Sequence, residues 1–162
     1  MTRALHLGFV AALTFYFTGC PDWCWGPFDG ECSSDMPVPL TNFEATLTGD
    51  RVVPPVTTGS SGSVRIDLRR STRYGPYTMQ YTVSVSDMSE AGSAALYVGN
   101  YTTNGTPSVT LCSPCTTSGA GVTTGTAPIN GEVVKAMREF GTYVEVRTAS
   151  GPVLRGQLRL VG

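Results

Sequence analysis

A chain of 162 residues has room for one domain of ordinary size. Charged residues make up 14% of it, against about 25% in an average soluble protein, and 19 Gly, 14 Ser and 22 Thr favour strands and turns over long charged helices. The formal net charge of −1 excludes the electrostatic footprint of a nucleic-acid binder, and imidazole chemistry has a single residue to work with, His6.

Behind Arg3, residues Ala4 to Thr18 are almost wholly apolar. The run is short for a membrane span, which takes roughly 20 residues, and suits the core of a signal peptide. It ends in Phe17-Thr18-Gly19-Cys20, which resembles a bacterial lipobox, with Phe17 where leucine is usual. On that reading Cys20 is the lipid-attachment site and the new N-terminus, and residues 1–19 leave with His6. A diacylglycerol plus an amide-linked chain would anchor the protein firmly, where one acyl chain holds only marginally. The expected location is the bacterial cell envelope, lipid-anchored in the outer membrane on its periplasmic or surface face. An ordinary secretory signal is the other reading.

Residues 20–41 carry four acids, Asp22, Asp29, Glu31 and Asp35, four prolines and no base. They read as a tether, with Trp23 and Trp25 suited to the headgroup zone, or as a small knot around a Cys24–Cys32 disulfide. From residue 42 to 162 the balance turns to ten Lys+Arg against eight Asp+Glu, and alternation takes over. Phe43, Ala45 and Leu47 share one face of a first strand, and Val64, Ile66 and Leu68 share one face of a second. Tyr77, Met79, Tyr81, Val83 and Val85 form the longest alternating run. Further strands are expected at 94–98, 108–111, 122–127, 142–148 and 153–161, separated by turn residues such as Gly75-Pro76 and Asn104-Gly105. One helix is expected from Gly131 to Phe140. Asn130 is its N-cap, Val133, Val134, Met137 and Phe140 form one face, and Gly141 supplies a left-handed end. The fold class is therefore all-β: an antiparallel β-sandwich or flattened Greek-key barrel of about eight strands with one short helix.

Two stretches are more specific than composition. One is Phe43-Glu44-Ala45-Thr46-Leu47-Thr48-Gly49-Asp50-Arg51-Val52-Val53-Pro54-Pro55, followed by Gly62. The other runs from Tyr143-Val144-Glu145-Val146-Arg147-Thr148 to Gly151-Pro152-Val153-Leu154-Arg155-Gly156-Gln157-Leu158. Together they resemble the opening and closing signatures of the CHRD domain, named after chordin, across about residues 42 to 161. The resemblance implies a non-catalytic binding or interaction module. In physical terms, Pro54 and Pro55 must end a strand or lie on an edge, and Gly156 marks a bulge or a close backbone approach. Members of the family commonly carry a His-x-His pair and a Val-His-Thr triplet. Here Leu96 and Val98 stand for the pair and Arg147 for the third histidine, so a metal held there in relatives would find no ligand atoms. No metal and no cofactor are expected.

Five cysteines leave four beside Cys20, which in an exported protein argue for two disulfides. Local pairs are preferred, Cys24–Cys32 and Cys112–Cys115, stabilising by roughly 2.5 and roughly 2 kcal/mol; a tether-to-domain pairing remains open. Cys112-Ser113-Pro114-Cys115 also has the spacing of a dithiol redox motif. No helix is expected after it, however, and no Lys, Arg or His lies within ten residues on either side. Scattered carboxylates give no glycosidase pair, and no Gly-rich phosphate loop precedes a helix. Asn100-Tyr101-Thr102 and Asn104-Gly105-Thr106 match the glycosylation pattern and read as polar turns. Arg65, Arg69, Arg70 and Arg73 form either a site for an anionic partner or a solvated hairpin tip. The expected function is a membrane-anchored, envelope-exposed binding module whose ligand is a protein or an envelope polysaccharide, with no nucleic acid. The alternatives are a thiol-disulfide redox protein using Cys112 and Cys115, or an architectural envelope protein without a discrete ligand.

Overall fold

Alternation settles the first three strands. β1 (Val38–Leu47) turns Phe43, Ala45 and Leu47 inward, β2 (Ser61–Arg70) turns Val64, Ile66 and Leu68 inward, and β3 (Tyr77–Met88) does the same with Met79, Val83 and Val85. The antiparallel register sets these side chains in rows: Phe43 opposite Ile66 and Ile66 opposite Tyr81, Ala45 opposite Val64 and Val64 opposite Val83. β6 (Gly119–Ile129) pairs with β3, and the short β9 (Arg159–Val161) pairs with β1. This gives a five-stranded sheet in the order β6-β3-β2-β1-β9. β4 (Gly92–Val98), β5 (Thr106–Thr116), β7 (Thr142–Thr148) and β8 (Gly151–Gln157) form a four-stranded sheet in the order β5-β4-β7-β8. The two sheets form a β-sandwich and no barrel closes. Leu96, Val144, Val146 and Leu154 from the second sheet share the core with the rows of the first. Each such side chain contributes on the order of 2 kcal/mol by leaving water.

These statements come from a computed structural model, which describes residues 38–161 apart from 71, 73, 91, 117 and 118. The expected leader at 1–19, Cys20, the Cys24–Cys32 pair, most of the 20–41 tether and Arg73 lie outside the described residues. Among the described residues no helix is long and apolar enough to cross a membrane.

The one α-helix among the described residues, α1 (Gly131–Arg138), carries the chain from β6 at the edge of one sheet to β7 inside the other. The Asn130 side-chain oxygen accepts from the Val133 N–H at 2.9 Å, and Val133, Val134 and Met137 are buried. The helix end differs from expectation. Phe140 is 51% exposed and itself takes the left-handed conformation, at φ 56°. Gly141 instead donates its N–H to the Ala136 carbonyl at 2.8 Å. A Cβ at Gly141 would lie 3.3 Å from that oxygen, so this glycine serves close approach rather than a positive φ.

Three strand boundaries also differ. β1 begins at Val38, inside the segment read as tether, where Val38 and Pro39 pair with Arg70 and Arg69. β5 runs on through both cysteines to Thr116. The final run, read as one strand, is two, because the chain passes from the four-stranded to the five-stranded sheet at the buried Leu158. Side-chain alternation carries no mark of such a change of partner. Cys112 and Cys115 are joined by a disulfide and are both buried. There the ladder advances two residues on β4, from Gly92 to Ala94, against four on β5, from Thr116 to Cys112.

Candidate functional site

Each sheet has an outer face, and the two faces differ. On the four-stranded sheet the register sets Tyr97, Tyr143 and Gln157 in one row and Glu145 beside Arg155 in the next. Residues 99–105, between β4 and β5, fold over this row. Arg155 is 1% exposed and holds them. Its Nη2 donates to the Asn100 carbonyl at 2.6 Å and the Thr103 carbonyl at 2.8 Å, and its Nη1 donates to Asn104 Oδ1 at 3.1 Å. The guanidinium carbon lies 3.5 Å from the Tyr143 ring centroid. The Tyr143 hydroxyl accepts from the Gly105 N–H at 2.9 Å, and Gln157 Nε2 donates to the Phe140 and Gly99 carbonyls at 2.6 and 3.2 Å. A buried guanidinium needs several acceptors to offset its lost hydration, and the loop supplies them from its backbone. Asn100 Oδ1 accepts from the Thr102 N–H at 3.1 Å and so serves as a turn residue, whereas Asn104 bonds to distant chain, its Nδ2 donating to the Val53 carbonyl at 3.2 Å.

The closing signature is therefore a latch. Arg155 and Gln157 point into the loop, and Gly156 between them meets β1. A Cβ on Gly156 would lie 2.3 Å from the Thr46 carbonyl oxygen, so of its two readings close approach is the one realised.

The positions compared with family histidines do not converge. Leu96 is fully buried on the inner face opposite Val144, and Val98, at the strand end, shares its parity and is 38% exposed. Arg147 is on the outer face, opposite Ser93, with Nη1 2.7 Å from Glu145 Oε1. A single site over Leu96, Val98 and Arg147 is excluded by the pleat; the positions that share a face with Arg147 are Ala95 and Tyr97. Burial, and then the Glu145 carboxylate, push the Tyr97 phenol above its ordinary value. The hydrogen bond to Glu145 raises the Arg147 guanidinium. Sequence reasoning passed over Tyr97, Tyr143, Glu145 and Gln157 as site residues. The available signal was the pair of polar residues flanking Gly156 within an otherwise apolar closing strand. Among the described residues no three His, Cys, Asp or Glu side chains are placed to hold a metal.

The arginine cluster is also divided. Arg65 faces outward, 2.9 Å from Glu44 Oε1 and 3.4 Å from Asp67 Oδ1, so two carboxylates balance it. Arg69 shares that face, whereas Arg70, one residue on, turns the other way and packs its guanidinium 4.1 Å from the Tyr77 ring centroid. Adjacent strand residues cannot serve one outer face, so Arg65, Arg69 and Arg70 do not form one anion site.

Among the described residues, the outer face of the five-stranded sheet is open and holds a groove of about 720 Å³. Thr46, Ser63, Thr82 and Ser84 line it, with Asp50, Arg51, Tyr101 and Arg159 at its margins. Thr46, Ser63 and Ser84 stand side by side on β1, β2 and β3; next to them run Glu44, Arg65, Thr82 and Thr124. A second hollow of about 310 Å³ continues over β6 and shares Arg65 and Thr82. Tyr101 belongs to the loop that Arg155 holds, and its hydroxyl meets Arg159 Nη2 at 3.4 Å. The latch on one face thus sets a margin of the groove on the other. Chemically the groove offers hydroxyls that both donate and accept, flanked by charges that largely balance.

A family model described as CHRD domain matches residues 43–158. No curated protein and no solved structure matches the chain.

Proposed function

The chain belongs to the CHRD domain family, and from that premise we propose a non-catalytic binding module, lipid-anchored through Cys20 and exposed at the bacterial envelope. Its binding surface is the hydroxyl-lined groove on the five-stranded sheet. One observation carries the choice of face: the groove is open, whereas the opposite face is filled by its own loop, and the family's closing residues fix the groove margin through that loop. Ligand sites are concavities with convergent polar groups, and this one fits that description.

The redox alternative has less support. A dithiol catalyst works through an accessible thiol of lowered pKa, commonly at a helix N-terminus. Cys112 and Cys115 are buried within a strand that continues past them.

Two measurements test the proposal. Metabolic labelling with a palmitate analogue marks the wild type and leaves Cys20→Ala unmarked; equal labelling removes the anchor. Ser63→Trp fills the groove without touching the core, so the full-length variant loses retention on immobilised envelope material at an unchanged melting temperature. Undiminished retention would sink the groove as the binding surface.

A further inference from the structure

We infer that the groove takes a neutral polysaccharide lying across the strands, one sugar unit against each strand. This rests on the groove being the binding surface. Thr46, Ser63 and Ser84 present one hydroxyl each from three adjacent strands. Neighbouring strands are about 4.8 Å apart, close to the advance of one pyranose unit along an extended chain. Ser and Thr hydroxyls rotate to donate or accept, so each matches a sugar hydroxyl in either sense.

Charge points the same way. Arg65 is held by Glu44 and Asp67, Arg51 lies 3.7 Å from Asp50, and Arg159 stands opposite Glu44 in the ladder. No cationic excess is left for an acidic polymer. A protein partner would seek an apolar centre ringed by polar residues. Here the centre is hydroxylic, and the exposed Val122 and Val161 sit on β6 and β9, the two opposite edge strands. Tyr101, 45% exposed at the margin, offers an aromatic ring against which a sugar can stack.

The test is affinity electrophoresis of the full chain in detergent micelles, through gels containing a soluble neutral β-glucan or a polyuronate. The neutral glucan retards the wild type, equally at low and high salt. Retardation weakens about tenfold in Tyr101→Ala and in the triple variant Thr46→Val, Ser63→Ala, Ser84→Ala, the equivalent of about 1.4 kcal/mol. Unchanged melting midpoints in these variants separate lost binding from lost folding. Retardation by the polyuronate alone, abolished by salt, overturns the assignment in favour of an acidic ligand. If neither polymer acts while a photo-crosslinker at position 63 joins an envelope protein, the groove binds but its ligand is not a glycan. If neither polymer acts and the crosslinker captures nothing, the binding surface fails together with its ligand.

Discussion

The two outer faces start from the same pattern and reach opposite ends. On each, polar residues alternate along the strands with core residues and turn away from the core, with Ala95 and Val122 among the apolar exceptions. Over the four-stranded sheet, residues 99–105 fold back onto the buried Tyr143, Arg155 and Gln157. Over the five-stranded sheet no described residue folds back, and Thr46, Ser63, Thr82 and Ser84 line a groove. The covered face has become a second, polar core; the other is the face proposed above to take a ligand. The covering loop makes the difference, and it is held by a guanidinium whose hydrogen bonds go to the loop backbone and to one asparagine.

The sharpest way to break the contrast is Arg155→Ala. It leaves the Asn100 and Thr103 carbonyls without their donor and removes the packing on Tyr143, so urea unfolding should show a loss of about 4 kcal/mol. Arg155→Lys recovers little of it, because an ammonium lacks the planar fork and the stacking face. Gly156→Ala strikes the seam between the faces. The added methyl meets the Thr46 carbonyl, and the same assay should register a loss of about 3 kcal/mol, since backbone on both sides cannot yield.

A smaller effect concerns Tyr97 at the border of the covered face. Its phenol is held above the ordinary value near 10, so the folded protein keeps the proton more tightly than the unfolded chain. The resulting contribution to stability is complete below about pH 10 and is lost as pH rises through the folded-state value. Tyr97→Phe should flatten the alkaline limb of the stability profile and leave the neutral region unchanged. Smallest is Ser63→Ala on the open face, expected within about 0.5 kcal/mol of wild type by urea unfolding. A large loss there would mean that the open face is structural too.

Much of the fold was legible because the interactions that make it are local or periodic. Alternation placed β1 to β3 inward and outward correctly, Asn130 signalled the start of α1, and the paired signatures pointed to the family that residues 43–158 match. Errors arose where a residue's role depends on distant chain. Gly141 looked like a left-handed cap, yet the conformation fell to Phe140 because Gly141 must pass close to Ala136. The run ending at Val161 looked continuous because changing sheets leaves every second side chain facing the same way.

The single histidine and the low charge narrowed the chemistry from sequence alone, and they still do. Sequence determined the inward rows of the first three strands, the helix start and the family. Tertiary structure decided that Leu96 and Arg147 lie on opposite faces, that Arg65 is balanced by Glu44 and Asp67, and that Arg155 is buried while Ser63 is open. Periodicity reports which side of its own strand a residue occupies. Whether another part of the chain then covers that side depends on contacts between residues some fifty positions apart, as with Arg155 and Asn100, and no local pattern records them.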